Sequence, residues 1–465
     1  MPNILATLAL VAWPLLTLIL FQRLSASRAM ILSLVMGYMF LPEPPAGFDF
    51  PLLPALDKHN LPAFSALVAL FWTRGAPQPL LPESALARLL VLVFVFSPIF
   101  TVMGNAEPLT FGASMIPGLG LKDMITLPIG QALILVPFLL ARRLLASEAA
   151  QIELLRTLVI GGMVYSLLML VEIRLSPQLN NWIYGFYQHS FGQTVRFGGY
   201  RPMVFLYHGL WTAFFCLMAL SSAAALFRIG APDRRPAYAI AALWLGGVLL
   251  LAKSLGALVL GAALVPLILI FGPVIQINVA LVVAVLALGY PMMKGVGLVP
   301  EEKILAQAEA IDPDRAQSIG FRFDQEAQLL DRADYKPLFG WGTWGRNHRH
   351  DAYTGEIETV ADGRWIITIG VYGWVGFLAE FGLLALPILL LWRETAMRGD
   401  GAAARCIAPL TLILAFNLFD MLPNATLTPL TWMIAGALTG YAEKLRADRG
   451  TARSGHPTLS WKPIL

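Results

Sequence analysis

Apolar residues in this chain fall into long runs separated by short polar connections. The runs occupy 3–21, 29–41, 61–73, 89–103, 125–141, 158–171, 203–227, 237–251, 257–271, 274–293, 365–392, 406–419 and 425–441. Several are shorter than the ~20 residues needed to cross hydrocarbon unaided, and uncharged flanking residues extend them. Only Lys253-Ser254-Leu255-Gly256 separates 237–251 from 257–271, and Gly272-Pro273 makes a similar tight corner before the next run. The pattern predicts an all-α protein: a polytopic transmembrane helical bundle of about 12–13 spans, without an internal repeat. The run from Asn3 to Phe21 lacks a charged leader and a small-residue cleavage site, so it reads as a retained helix rather than a signal peptide.

Composition excludes the soluble alternatives. Of 465 residues, 57% are apolar and 13% charged, and mean hydropathy is +0.68. A compact water-soluble chain built this way would expose apolar patches larger than monomers tolerate. The two cysteines, Cys216 and Cys406, lie inside apolar runs and offer neither a disulfide framework nor a thiolate metal site. A net charge of +4 gives no sign of a nucleic-acid partner. The basic residues instead set orientation.

Arg23 and Arg28, then Arg142, Arg143 and Arg156, then Arg228, Arg234 and Arg235, then Arg393 and Arg398, and finally the tail from Lys444 all fall in alternate connections. These belong in the cytoplasm with the C-terminus. Connections 42–60, 104–124, 172–202 and 294–364 then face outward, and so does the N-terminus. The chain divides into an N-terminal bundle of about ten spans (1–293), a large outward loop (294–364), C-terminal spans (365–443) and a cytoplasmic tail (444–465).

Two outward connections stand apart. Segment 172–202 carries Trp182, Tyr184, Phe186, Tyr187 and Phe191 within ten residues, followed by Arg196 and Arg201, as expected for an element lying at the membrane interface. Segment 294–364 holds 13 of the 29 Asp and Glu residues, with His348 and His350. Within it, Asp312-Pro313-Asp314 predicts a helix start, with an Asp N-cap and Pro at the first position, and a helix reaching about Ala333. Arg315, Arg322 and Leu329 would share one face of it. Asp312 and Asp314 also form an acid-x-acid pair such as metal-dependent transferases use, although capping accounts for the same residues and two carboxylates hold magnesium poorly.

Arg174, Arg196, Arg201, Lys253, Arg315, Arg322, Arg346, Arg349 and Arg364 all map outward, against the usual bias. A diphosphate at the membrane surface would account for them, since guanidinium forks match phosphate oxygens and stay charged. The alternative is contact with anionic headgroups and pairing with nearby acids. His350 and His348 could act as general bases, because imidazole titrates near neutral pH. His208 opens the 203–227 run just after Arg201-Pro202, while His59 and His189 lack supporting context. Glu380, mid-span and without an evident basic partner, and Asp420, at a span end, are the intramembrane acids a transporter would need.

Three stretches resemble the bacterial O-antigen ligase and polysaccharide polymerase family. Arg196-Phe197-Gly198-Gly199-Tyr200-Arg201-Pro202 is similar to the family's outward arginine motif ahead of a span. Ser318-Ile319-Gly320-Phe321-Arg322 and Pro337-Leu338-Phe339-Gly340-Trp341-Gly342 resemble its loop helix and the turn that follows. Asp362-Gly363-Arg364-Trp365, running to Gly373-Trp374-Val375-Gly376, resembles its approach to the next span, with Asp362 where the family commonly has histidine. The corner at Lys253-Ser254 also looks like the family's basic-serine turn.

The resemblance implies a GT-C-like membrane glycosyltransferase of the bacterial inner membrane. It would work on the periplasmic side, without metal or cofactor. The donor would be an undecaprenyl-diphosphate-linked oligosaccharide, the acceptor a glycan or lipid A-core, with membrane lipids and a chain-length regulator as further partners. Arg196, Arg201, Arg322 and Arg346 would bind diphosphate, Asp362 or His350 would be the base, and Lys253, His208 and Arg364 would support them. The missing histidine favours polymerisation of surface or exopolysaccharide repeat units over ligation. A polysaccharide or lipid transporter is the rival from another class.

Overall fold

The computed structural model describes residues 1–75, 79–112, 114–196, 198–311, 313–398 and 405–454. Each of the thirteen apolar runs falls on its own helix: α1 (Ile4–Arg23), α2 (Ala26–Phe40), α3 (Leu61–Arg74), α4 (Ala85–Met103), α5 (Leu121–Leu144), α6 (Glu148–Leu175), then, after a short α7 (Leu179–Tyr184), α8 (Gly209–Ile229), α9 (Arg235–Leu251), α10 (Leu255–Ile270) and α11 (Pro273–Gly295). Two loop helices follow, α12 (Glu301–Ile311) and α13 (Pro313–Asp334), and then α14 (Arg364–Arg398), α15 (Ile407–Asp420) and α16 (Pro429–Ser454). Strand is confined, among the described residues, to three antiparallel hairpins of two or three residues a side and one isolated bridge.

Seven helices, α1, α4, α5, α6, α8, α11 and α14, are long and apolar enough to cross a membrane, and α2, α3, α10 and α15 are shorter apolar helices. Their sides are apolar whether or not they meet protein. On α1, Ala6, Leu10, Trp13, Thr17 and Phe21 pack inward, while Ile4, Leu8, Val11, Leu15 and Ile19 face out. A helix apolar all round is built for hydrocarbon rather than water.

The two predicted sets of connections gather at opposite ends of this bundle. At one end Arg142 pairs with Glu443 at 2.6 Å, Arg28 with Glu153 at 3.0 Å and Arg449 with Glu394 at 3.2 Å. At the other, Lys336 of the late loop reaches Glu107 at 2.7 Å, and the Arg364 N–H donates to the Met421 carbonyl at 2.9 Å. Asn3 caps α1 and donates through Nδ2 to the Ile183 carbonyl at 2.9 Å, so the start of the chain packs on the 172–202 connection.

Segment 294–364 holds two helices where one was expected. Glu301 and Glu302 favour the start of α12 electrostatically, and Pro313 opens α13. The proposed N-cap Asp312 and the side chains of Asp314 and Arg315 lie outside the described residues. Leu329 is buried, as its place on the inner face of α13 requires. Lys294 anchors the pair of helices: it contacts Glu301 and the Phe323 carbonyl and lies 3.9 Å from Glu326, which also accepts from the Tyr290 hydroxyl at 2.8 Å.

Helix α14 is interrupted at Gly373, where φ is +69°. The turn at 337–342 fills the interruption. Trp341 N–H donates to the Gly370 carbonyl at 2.8 Å and Gly342 N–H to that of Val371 at 2.9 Å, while Trp374 N–H donates to the Pro337 carbonyl at 2.8 Å. A Cβ on Gly373 would run into the Leu338 carbonyl. Gly373→Ala should therefore cost more than the ~1–2 kcal/mol of a left-handed non-glycine residue. Gly246→Ala, on α9 with open space around it, should stay within ~1 kcal/mol of the unchanged protein. Melting temperatures in detergent compare the two, and equal melting would refute the docking role of Gly373.

Candidate functional site

The span expected from residue 203 begins at Gly209 instead. Residues 203–206 are buried, irregular chain, with Val204 at φ +57°. Buried backbone outside a helix needs a partner for its polar groups, and neighbouring helices and loops supply them. Glu172 accepts from the N–H groups of Met203 (2.8 Å) and Val204 (2.7 Å), and Tyr165 Oη accepts from Phe205 N–H at 3.0 Å. Gln188 donates to the carbonyls of Val204 and Leu206, Thr212 to that of Met203, and Lys58 to that of Phe205.

Lys58 and its partner Glu43, 3.0 Å away, are fully buried, and His59 Nε2 lies 3.0 Å from the other Glu43 oxygen. Burial pushes the Glu43 carboxyl up, but the charges of Lys58 and His59 outweigh it and leave its pKa below the ordinary value. Burial likewise pushes His59 down, and Glu43 more than reverses it. Sequence reasoning passed over Glu43, Lys58 and Glu172. The available signal was a lysine among three acids, Glu43, Asp49 and Asp57, in the short connection 42–60.

This tied-down loop presents Arg201 at one end and His208 at the other. Arg201 Nη2 donates to the Lys253 carbonyl at 3.4 Å, and its buried Nε has no hydrogen-bond partner among the described residues. Burial first, then the charges of Arg196 and Arg322, bring its pKa down to about 10. Arg196 is exposed on a hairpin, paired across to Gly199. The Lys253 side chain lies against Gly199, from a corner where its own φ is +53°. Arg322 arrives from α13, with its Nε 3.5 Å from Asp362 Oδ2, and both side chains are partly exposed. Its charge also acts on Asp420, whose carboxylate is held by Asn424 (3.0 Å) and Thr426 (2.7 Å).

His208 belongs to the same group. Its pKa falls to about 3, through burial first and then through His189, Arg201, Arg196 and Arg322. Its Nδ1 accepts from Leu210 N–H at 3.1 Å, which leaves the proton on Nε2, facing Gln193 Oε1 at 3.2 Å. Both ring nitrogens are thus engaged in the neutral form. His208 is a poor candidate for a base and a good one for fixing the cluster's edge.

Four segments distant in sequence therefore bring together Arg196, Arg201, Lys253, Arg322, Asp362 and His208. The remaining candidates go elsewhere. Arg346 is fully buried and, among the described residues, donates to the carbonyls of Trp341, Pro117 and Glu107 at 2.9–3.3 Å, so it pins the 337–342 turn to the 104–120 connection. Arg364 forms a two-point ion pair with Glu380, at 2.7 and 2.5 Å, supported by Thr368. Glu380 thus has the basic partner that sequence reasoning did not find, because the interruption at Gly373 turns α14 back on itself. His350 stacks on Phe111 with ring centres 4.7 Å apart, and burial lowers its pKa. Its cationic neighbour is Arg332, ten residues and so about 15 Å along α13 from Arg322. His348 Nδ1 is taken up by Thr359 at 3.0 and 3.1 Å.

Among the described residues no three His, Cys, Asp or Glu side chains gather as metal ligands. Among the described residues the cluster joins Arg196, Arg201, Lys253 and Arg322 to the Asp362 carboxylate, with Asp420 within reach of Arg322, an arrangement suited to a polyanion. No protein-family model matches the chain, and no curated protein matches its sequence.

Proposed function

We propose that this chain is an integral membrane glycosyltransferase of about thirteen spans, GT-C-like in architecture. In this reading it moves a glycan from an undecaprenyl-diphosphate-linked donor to a sugar hydroxyl on the periplasmic side of the inner membrane, and it polymerises polysaccharide repeat units. The observation that carries the reading is the meeting of Arg196 and Arg201, from one connection, with Arg322 of the late loop, and of Asp362 with Arg322. Like charges so placed repel one another, and a polyanion bound between them would offset that repulsion.

As the bond from the donor's anomeric carbon to the diphosphate oxygen breaks, the electron pair stays on that oxygen. In this reading Arg201 and Arg322 stabilise the growing charge. The acceptor hydroxyl forms the new bond and loses its proton to Asp362. Asp362 is preferred to His350 as base because it adjoins the cations, whereas His350 adjoins Arg332. The transporter reading loses its strongest residue, since Glu380 is occupied by Arg364.

The test is purified protein in liposomes, given lipid-linked repeat unit with and without lipid A-core. A ladder of products without core supports polymerisation, and core-attached glycan alone would mean ligation. No transfer in either case, together with donor moving between leaflets, would overturn the enzyme reading.

A further inference from the structure

Beside the cation cluster runs a row of rings. From His208 it passes to His189 (ring centres 4.9 Å apart), Tyr207 (4.8 Å), Trp211 (5.8 Å) and His59 (5.6 Å). Each step is about the size of one sugar ring. The row is not a buried core stack, for Tyr207 at its centre is 43% exposed. Its hydrogen-bonding edge is also set: Gln193 Oε1 lies 2.9 Å from His189 Nε2 and 3.2 Å from His208 Nε2. That oxygen must accept from His208 Nε2, so the amide nitrogen of this exposed Gln193 is turned away from the rings and available to a ligand.

We propose that the row His208–His189–Tyr207–Trp211–His59, edged by Gln193, is a carbohydrate subsite that holds the glycan of the lipid-linked donor beside its diphosphate. Aromatic faces pack against the C–H faces of a pyranose, and a few fixed polar groups at the rim orient its hydroxyls. Continuity with the cations selects this occupant. In such a donor the first sugar is bonded directly to the diphosphate, and His208, at the near end of the row, already feels Arg201, Arg196 and Arg322. The proposal rests on the transferase reading and adds to it the residues that recognise the sugar.

The experiment measures binding to the full-length protein in lipid nanodiscs with two probes: undecaprenyl diphosphate without sugar, and the undecaprenyl-diphosphate oligosaccharide extracted from cells that express the chain. Tyr207→Ala and Gln193→Ala should each weaken the glycosylated lipid roughly three- to tenfold and leave the bare lipid unchanged. Tyr207→Phe, which keeps the ring, should bind both like the unchanged protein and guards against misfolding of the alanine variant. Arg201→Ala should weaken both probes. If Tyr207→Ala and Gln193→Ala weaken both lipids equally, or neither, the subsite is overturned while the transferase reading stands. If the unchanged protein binds neither lipid, both fall.

Discussion

Arg201→Ala and Arg322→Ala are each expected to lower the initial rate of glycosyl transfer by about 10²–10³-fold, the usual loss when one fixed donor to a developing anion is removed. The protein should still reach the membrane in normal amount and melt at its normal temperature. Arg322 is partly exposed, and its partner Asp362 is too, while the buried Asp420 that its charge also reaches keeps its bonds from Asn424 and Thr426. Arg201 sits among like charges, and removing it relieves repulsion as well as losing a donor. Lysine at either position should restore only part of the rate, because an ammonium cannot grip a phosphate with two parallel bonds. The double variant should lose less than the product of the single losses, since both groups act on one diphosphate. Normal rates from both single variants in the liposome assay would remove the diphosphate site from the account.

Arg364→Ala should fail differently, through folding. Glu380 is fully buried, and its carboxylate is held at both oxygens by Arg364. Removing one partner of such a pair costs about 3–5 kcal/mol, because the other charge is left stranded. A lower melting temperature in detergent and a lower yield from the membrane should both follow. Arg364→Gln combined with Glu380→Gln should recover much of the loss, since the two neutral amides can still bond to each other. Asp362→Asn, two residues earlier, supplies the contrast: it should leave melting unchanged and reduce transfer sharply. Equal melting of Arg364→Ala and the unchanged protein would mean that Glu380 carries no charge to strand.

These contrasts mark how much of the site was legible beforehand. Arg201, Arg322 and Asp362 stand out in the chain as cations and a carboxylate in connections that charge placement assigns to one side, within stretches that resemble one family. Arg346 stands out for the same reasons, yet it spends its donors on three carbonyls. Charge and place along the chain do not distinguish a guanidinium that meets other cations from one that pins a loop. Glu172 and Lys58, with Glu43 as the partner of Lys58, were missed because their work is to satisfy the backbone of 203–206, and an irregular buried segment with apolar side chains has the hydropathy of a helix. The same ambiguity started α8 six residues too early.

Hydropathy and the placement of Lys and Arg, read along the chain alone, determined that it is helical, where each of the thirteen apolar helices lies, and which connections share an end of the bundle. Both are local quantities: the free energy of putting a residue in hydrocarbon, and the preference of loop charge for one side, depend little on what a helix packs against. Only the tertiary structure decided that Gly373 breaks α14 around the 337–342 turn, that Arg364 is consumed by Glu380, and that Arg196, Arg201, Arg322 and Asp362 meet beside a row of aromatic rings. Those outcomes depend on distances between residues far apart in sequence, and side-chain partners are chosen by such distances rather than by composition.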